Sequence, residues 1–275
     1  MSVVIPIRNE AHHLASCLAA LRRFQEVIVV DSRSTDGSRN VAAKFGVPVL
    51  EFDWSGGYPK KRNWVLLTQD ISCGWVLFLD ADEVVNDEFC DEVARAVGSG
   101  DRDGFWLNYT NYFLGYRLRY GVAQRKLALF KKGAGLYEEI DEKNWSGLDM
   151  EVHEHPIIAG PVGEIATRID HRDFSGLEKF ISRHLEYARW EARRHLALNH
   201  SASKTAGGRF TGRQRFKYKN MASWWYPIAY WGFSYFVKGG FLDGRAGFQY
   251  AFYKAWYFNT IRLMIAELAE DKPRA

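Results

Sequence analysis

Two carboxylates that stand two residues apart could hold a divalent metal ion. Asp80 and Asp82 come at the end of an apolar run, residues 75–79, which is typical of a buried β-strand. In an irregular turn both side chains can reach one ion. Hard oxygen ligands favour Mg²⁺ or Mn²⁺, and substrate phosphates usually complete the coordination. The alternative is that the pair belongs to an acidic turn that caps the next helix.

A third carboxylate, Asp31, ends another apolar run, residues 26–30. An acid at this place could accept hydrogen bonds from a base or from ribose hydroxyls, as it does in dinucleotide-binding folds. The alternative is a helix cap, a role that also suits Ser34 and Asp36. The chain has no G-x-G-x-x-G after its first strand and no G-x-x-x-x-G-K-[ST] motif, which disfavours a dinucleotide oxidoreductase and a P-loop NTPase.

Apolar runs alternate with helical patterns through the first hundred residues. The runs predict strands at residues 2–7, 26–30, 47–52 and 75–79, and helices follow each of them. Gly46 should end the second helix and Asn86 should cap the fourth. This alternation predicts a parallel sheet that helices cover on both faces. Polar clusters at residues 8–10, 31–38 and 80–83 would then meet at the carboxyl edge of the sheet, where ligands bind.

The pattern changes after residue 100. Short, alternating, aromatic segments over residues 103–169 predict antiparallel strands and loops, and residues 177–198 predict a helix. Residues 200–211, rich in Ser, Gly and Lys, predict a mobile loop. We therefore expect a catalytic domain at 1–175, with a nucleotide half at 1–100 and an acceptor half at 101–175. A helical extension should follow at 176–275.

The composition places the positive charge in one segment. The 275 residues are 47% hydrophobic and 25% charged, which excludes a mainly disordered chain, and three cysteines without paired spacing indicate a reducing compartment. Residues 210–258 contain 19 of the 42 aromatic residues, seven Lys or Arg, and a single acid, Asp243. The segment carries +6 and the remainder −2. The basic character belongs to the C-terminal part.

The aromatic and basic segment suits a membrane interface, where Trp and Tyr prefer the headgroup level and cations meet anionic lipid. The candidate membrane contacts are Arg213, Arg215, Lys217, Lys219, Trp224 and Trp225. Residues 220–237 are uncharged, but Pro227 and Gly232 favour in-plane or re-entrant helices over a straight span. Packing against the catalytic domain accounts for some of these aromatics. No nucleic-acid partner is expected.

Three blocks of the chain resemble the signature of family-2 inverting glycosyltransferases with a GT-A fold. They are residues 3–10 (VVIPIRNE), 30–37 (VDSRSTDG) and 78–83 (FLDADE). Residues 152–154 and the aromatic, basic end are similar to one bacterial branch, which includes lipopolysaccharide-core β-glucosyltransferases and related surface-polysaccharide enzymes. The resemblance implies an α/β fold, Rossmann-like, with a mostly parallel sheet flanked by helices. It also implies a C-terminal helical, aromatic-rich, membrane-associating extension.

The same resemblance implies roles for particular residues. The nucleotide would contact Pro6, Arg8, Glu10, Asp31, Arg62 and Asp80. Asp31 would bond the uracil, and Asp82 would be the main ligand of Mg²⁺ or Mn²⁺. His171 would complete the metal site or serve a structural role. Arg33 stands where many relatives have a small residue.

An inverting transfer needs a base that deprotonates the acceptor hydroxyl. The candidates are Glu151 and Glu154, and the resemblance points to Glu154, with His153 orienting it or touching phosphate. Glu151 is more typical of a solvated strand residue. Zinc is disfavoured because no third ligand is suitably spaced. Arg125 could approach the diphosphate or the acceptor, or could be a surface charge.

These observations predict a metal-dependent, inverting glycosyltransferase with a nucleotide-sugar donor, UDP-linked, and a lipid-linked or lipopolysaccharide-core acceptor. It would act at the cytoplasmic face of a bacterial inner membrane, as a peripheral or monotopic protein. The alternatives are a sugar-1-phosphate nucleotidyltransferase and a non-catalytic, membrane-bound nucleotide-sugar-binding protein. The first should show a Gly-rich, basic loop near the first strand, which is absent. Intact acidic clusters argue against the second.

Overall fold

A computed structural model describes residues 1–140, 142, 145–151, 155–172, 176–200 and 210–270, with only the backbone at 199 and 200. The chain forms two compact units. Unit 1 comprises Met1–Asn111 and Ala123–Asp173, and unit 2 comprises Tyr112–Val122 and Phe174–Ala275. Residues 112–122, inside the predicted acceptor half, thus pack with the C-terminal helices.

Unit 1 begins with the predicted alternation of strands and helices. Its elements are β1 (Ser2–Ile7), α1 (Ala11–Ala20), β2 (Glu26–Asp31), α2 (Ser38–Lys44), β3 (Val49–Glu51), α3 (Lys61–Thr68), β4 (Trp75–Phe78), β5 (Glu83–Val84) and α4 (Asp87–Ser99). β1 pairs in parallel with β2 and β4, and β2 with β3. Asn86 caps α4 by accepting from the Phe89 N–H at 2.9 Å, and Gly46 adopts a φ of 68° just beyond α2, so both predicted helix ends are confirmed.

The remaining strands make the sheet mixed. They are β6 (Gly104–Phe113), β7 (Tyr116–Leu118), β8 (Arg125–Lys131), β9 (Gly135–Tyr137), β10 (Pro156–Ile158) and β11 (Val162–His171). The main sheet of the described residues has the order β3-β2-β1-β4-β8-β6-β11-β5, with β7 paired to β6. β8 runs antiparallel to both β4 and β6. β11 pairs in parallel with β6 and antiparallel with β5, so the sheet is all-parallel from β3 to β4 and mixed beyond it.

The core of unit 1 lies along the central strands. Every residue of β1 is buried, and Leu77 of β4 and Leu129 of β8 are completely inaccessible. Strands covered on both faces lose the alternation of apolar and polar residues, which is why β1 reads as a continuous apolar run. Full burial of each such side chain stabilises the fold by about 1.5–3 kcal/mol. This packing fixes the strand ends that carry the polar clusters.

Unit 2 is helical. It contains α5 (Gly176–His200), α6 (Gly212–Asn220), α7 (Tyr226–Gly232), a π-helix (Phe233–Val237), a 3₁₀-helix (Gly240–Asp243) and α8 (Gly244–Glu270). The helix predicted at 177–198 is confirmed, and most of the loop predicted at 200–211 lies outside the described residues. α5 packs on α8 through Ala188, Ala192 and Ile261. None of the described helices is both long and apolar enough to cross a membrane.

Candidate active site

The polar clusters that follow β1 and β2 are hydrogen-bonded to each other. The backbone N–H of Asn9 donates to Ser34 Oγ at 2.8 Å, and that of Glu10 donates to Ser38 Oγ at 2.9 Å. Asp36 Oδ2 accepts from the Ala11 N–H at 3.0 Å, so a side chain from the loop after β2 caps the first turn of α1. The predicted convergence of these two clusters at one edge of the sheet is confirmed.

Helix α3 connects the ends of β1 and β4. Lys61 Nζ donates to the Ile7 carbonyl at 3.0 Å, at the end of β1. The next side chain, Arg62, donates from Nη2 to Asp80 Oδ1 at 2.9 Å, just beyond β4. Both cations are buried although they are charged. Their partners are backbone oxygen and carboxylate, as buried cations require.

Asp31 is completely buried at the end of β2. Its carboxylate accepts from the Ser34 N–H at 3.1 Å, from Ser34 Oγ at 2.5 Å, and from Arg39 Nε at 2.5 Å. These bonds hold the loop between β2 and α2. The contact of Asp31 with a uracil stays a prediction. Of the other nucleotide candidates, Pro6 is buried within β1 and Arg8 is exposed just after it.

The site around Asp80 is a compact network of opposite charges. Lys126 Nζ, from β8, lies 2.5 Å from Asp80 Oδ2 and 2.5 Å from Glu83 Oε1. Burial alone would raise the pKa of Asp80, but the charges of Lys126 and Arg62 outweigh it and hold that pKa below its ordinary value. Asp80 is therefore ionised and held by two cations.

Glu83 is the buried member of this network, with 1% of its surface exposed. Its Oε2 accepts from the Asp80 N–H at 3.1 Å and from the Tyr109 hydroxyl at 3.4 Å. Burial raises the pKa of Glu83 to about 7, against the opposing charge of Lys126. Its place in the fold indicates that it orients the turn that carries Asp80 and Asp82.

Asp82 faces His171. The imidazole Nε2 lies 3.3 Å from Asp82 Oδ2, and the Arg172 N–H donates to the Asp82 carbonyl at 2.8 Å. The antiparallel pairing of β5 with β11 places His171 opposite Glu83. Burial would lower the pKa of His171, but the Asp82 carboxylate outweighs it and raises that pKa. Residues 89 positions apart in sequence thus form one pair.

A carboxylate beside an imidazole suits a divalent transition metal such as Mn²⁺. Within the described residues, no group of three or more His, Cys, Asp or Glu side chains is placed to hold a metal. Two protein ligands nevertheless fit an ion whose remaining ligands are water and substrate phosphates. Asp82 and His171 are therefore the residues of this chain that fit the implied ion.

Glu151 has a structural role that the sequence analysis did not predict. It is buried, with 2% of its surface exposed, so the expectation of a solvated strand residue is wrong. Its two carboxylate oxygens accept from the backbone N–H groups of Arg62 and Asn63, each at 2.9 Å, and thereby cap α3. Its carbonyl accepts from Arg62 Nη1. The predicted base Glu154 and the predicted phosphate contact His153 lie outside the described residues.

Two neighbouring cations of β8 have different surroundings. Arg125 pairs with Glu164 at 3.0 Å and lies 5.4 Å from the ring centroid of Trp106. Lys126, which the sequence analysis did not select, is the residue that reaches Asp80 and Glu83. Adjacent residues of a strand point to opposite faces. The alternation of side chains along β8 could have distinguished Lys126 from Arg125. That distinction also required knowing that β8 pairs with β4.

The predicted membrane contacts lie in and after α6. Lys217 forms an ion pair with Glu191, and Arg215 Nη2 donates to the Phe210 carbonyl at 3.0 Å. Arg213, Lys219 and Trp224 are exposed, while Trp225 is only marginally so. Arg213 also shares a side-chain hydrogen bond with Tyr230, so three of the four predicted basic contacts are engaged within unit 2. Their interaction with lipid stays a prediction.

Known proteins share the sequence pattern of this chain. The model of the family described as glycosyl transferase family 2 matches residues 2–147. The uncharacterized glycosyltransferase RC0292 of Rickettsia conorii is 26% identical over 254 residues, which are 88% of this chain and 84% of that protein. The lipopolysaccharide core biosynthesis glycosyltransferase LpsC of Rhizobium meliloti is 26% identical over 174 residues, 61% of this chain and 60% of LpsC.

The fold has a counterpart among solved structures. The mannosyltransferase PcManGT of Pyrobaculum calidifontis, in complex with GDP-Man and Mn²⁺, aligns with a TM-score of 0.56 at 12% identity. The alignment covers 98% of this chain and 87% of PcManGT. The mixed sheet flanked by helices is thus GT-A-like, as the resemblance implied. Because the family model also matches more than half of its residues, the chain belongs to glycosyl transferase family 2.

Proposed function

We propose that this protein is a metal-dependent, inverting glycosyltransferase. It transfers a sugar from a nucleotide diphosphate donor, UDP-linked, to a hydroxyl group of a lipid-linked glycan or a lipopolysaccharide-core acceptor. Membership of glycosyl transferase family 2 supports the transfer of a sugar over the nucleotidyltransferase alternative.

The observation that carries the proposal is the cluster at the carboxyl end of β4. Arg62 and Lys126 hold Asp80 there, and His171 pairs with Asp82, so cations and carboxylates from four separate segments meet at one turn. A merely structural acidic turn needs no such convergence of partly buried cations, whose desolvation is costly. A site for an anionic, metal-bound ligand explains it.

Asp82 and His171 would hold the divalent ion. When bound, the ion neutralises negative charge that develops on the diphosphate leaving group. Arg62 and Lys126 add fixed positive charge next to the same turn, and their ion pairs hold them in place before the substrate arrives. Asp80, with both oxygens engaged, would orient these cations and contact the ribose.

The transfer itself is a single displacement at the anomeric carbon. The acceptor oxygen forms the new bond while the bond between the anomeric carbon and the diphosphate oxygen breaks. Glu154 would take the proton of the acceptor hydroxyl. The capping role of Glu151 favours Glu154, because both carboxylate oxygens of Glu151 already accept backbone hydrogen bonds.

The likeness to LpsC, named for lipopolysaccharide core biosynthesis, supports the choice of acceptor. An acceptor anchored in lipid requires an enzyme that works at a membrane surface. We accordingly place the protein at the cytoplasmic face of a bacterial inner membrane, held peripherally by unit 2. The basic and aromatic composition of residues 210–258 supports this placement.

A thermal-shift screen of nucleotide sugars with and without Mn²⁺ tests the proposal. A ligand at 100 times its dissociation constant stabilises the native state by about 2.7 kcal/mol. We expect UDP-sugars to raise the melting temperature in the presence of Mn²⁺ and much less without it. A preference for GDP-mannose would contradict the UDP assignment. The absence of any nucleotide-sugar effect with Mn²⁺ would contradict the donor class altogether.

A comparison of Glu154→Gln with the wild type separates a catalyst from a binding protein. The variant should keep the Mn²⁺-dependent thermal shift and lose sugar transfer to a lipid extract. A wild-type protein that binds the donor and neither hydrolyses nor transfers it would favour the non-catalytic alternative.

A further inference from the structure

The sharp turn between the π-helix and α8 presents apolar side chains to solvent. Phe236, Val237, Phe241 and Leu242 are exposed by between 48% and 71%. The ring of Tyr235 contacts Phe236 at 5.1 Å and Phe241 at 6.3 Å between centroids, so these side chains form one surface. We call this surface the apolar turn. Contiguous exposed apolar surface of this kind marks an interaction site.

The apolar turn is rigidly built. Gly239 adopts a φ of 71°, and a Cβ atom on Gly247 would lie 1.9 Å from the Gly240 carbonyl oxygen, so the start of α8 closes tightly on the 3₁₀-helix. The Gly121 N–H donates to the Lys238 carbonyl at 2.9 Å. The backbone therefore fixes the outward direction of the apolar side chains.

Positive charges outnumber negative charges around the apolar turn. Asp243 is the only acid between residues 228 and 252, and its carboxylate accepts from the backbone N–H groups of Arg119 and Tyr120 at 2.9–3.1 Å. The side chains of Lys238, Arg119 and Arg245 are exposed. The Asp243 carboxylate is thus engaged in internal hydrogen bonds, while cations flank the apolar side chains.

Exposed Phe, Val and Leu residues flanked by Lys and Arg fit an anionic lipid surface, which offers hydrocarbon for the former and headgroup charge for the latter. We propose that the apolar turn, residues 236–242, inserts into the anionic leaflet of a membrane. The inference deepens the proposed function, since it names the part of unit 2 that contacts the membrane.

This assignment differs from the one drawn from the sequence, which selected the α6 cations and Trp224 with Trp225. Trp224 is exposed by 72%, but the neighbouring Lys217 and Arg215 are engaged with Glu191 and the Phe210 carbonyl. The apolar turn combines exposed apolar surface with the cations Lys238, Arg119 and Arg245, none of which forms an ion pair with a carboxylate among the described residues. We therefore expect it to dominate binding.

Sedimentation with vesicles of 30% phosphatidylglycerol in phosphatidylcholine tests the proposal. The full chain should bind them more tightly than pure phosphatidylcholine vesicles. The double variant Phe236→Ser/Leu242→Ser should lower the partition coefficient roughly tenfold or more, because two apolar side chains no longer enter the hydrocarbon. Leu263→Ser is the matched control, since Leu263 is exposed by 51% but lies ~30 Å along α8 from its start.

Unchanged vesicle binding by the double variant would overturn the proposal, and so would an equal loss in Leu263→Ser. Loss only in Trp224→Ser/Trp225→Ser would restore the α6 assignment. If the wild type does not bind vesicles, and if it is a dimer in analytical ultracentrifugation while the double variant is a monomer, the apolar turn is a protein interface instead. The Mn²⁺-dependent thermal shift with UDP-sugars, measured on the same variants, reports separately on the proposed function and should not change.

Discussion

Substitution of Lys126 by methionine tests the charge network at the end of β4. The ammonium lies 2.5 Å from carboxylate oxygens of both Asp80 and Glu83, and Glu83 is almost completely buried. Methionine keeps most of the side-chain volume and removes the charge. Asp80 then keeps its ion pair with Arg62, and Glu83 loses the ammonium group that it shares with Asp80. Removal of one partner from a buried ion pair destabilises proteins by about 3–5 kcal/mol.

We expect a smaller value here, about 2–4 kcal/mol, for two reasons. Lys126 itself keeps 27% of its side chain exposed, so solvent screens part of the interaction. Glu83, whose pKa burial already raises to about 7, can also take up a proton and so relieve the repulsion. In a unit of this size the loss corresponds to a fall of roughly 4–16 °C in melting temperature.

Lys131→Met is the matched control on the same strand. Lys131 pairs with Asp103 at 2.8 Å, and both side chains are about one-third exposed. An exposed pair of this kind contributes about 0–1 kcal/mol, so the control should lose at most a few degrees. Thermal unfolding followed by circular dichroism gives both values. Equal losses in the two variants would refute the idea that Lys126 compensates buried carboxylates, and so would a stable Lys126→Met protein.

Three further predictions concern other charged residues. Glu151→Ala should destabilise the protein by about 2 kcal/mol in urea unfolding, because two N–H groups of α3 lose their acceptor; Glu151→Gln, which keeps one acceptor oxygen, should lose less. Glu154→Gln should abolish transfer while Glu151→Gln retains it, and the reverse result would make Glu151 the base. Burial, with repulsion from Lys217, lowers the pKa of Lys254 to about 8, so below that pH the folded state holds a proton that destabilises it relative to the unfolded chain. Lys254→Met should therefore raise the melting temperature by roughly 3–6 °C at pH 7 and by less near pH 10, and a gain independent of pH would contradict this reasoning.

Local sequence was sufficient to predict the parallel half of the sheet. Strands such as β1, buried on both faces, read as unbroken apolar runs, and polar residues mark where each strand ends. The order of these strands also brought Asp31 and Asp80 to the same edge. Asn86 and Gly46 correctly predicted helix ends, because the Asn86 side chain caps a backbone group three residues away and Gly46 adopts the required backbone angle itself. These features depend on neighbours in sequence.

The network around Asp80 could not be predicted because it depends on non-local pairing. Lys126 reaches Asp80 only because β8 inserts antiparallel between β4 and β6. Without that register, Arg125 and Lys126 were equally plausible, and they point to opposite faces. Glu151 caps a helix that begins ninety residues earlier, so no local sequence pattern predicts this capping role. Long-range pairing decides which charged side chain lies in the site.

The central claim is that Asp82 belongs to a metal-dependent donor site. The most direct measurement compares the wild type with Asp82→Asn in Mn²⁺-dependent hydrolysis of a UDP-sugar, with release of UDP as the readout. Asparagine keeps the size of the side chain and removes its charge. The account predicts that metal-dependent UDP release falls at least about a hundredfold, while circular dichroism shows an unchanged fold. Metal-dependent release that persists at the wild-type rate in Asp82→Asn would contradict the account.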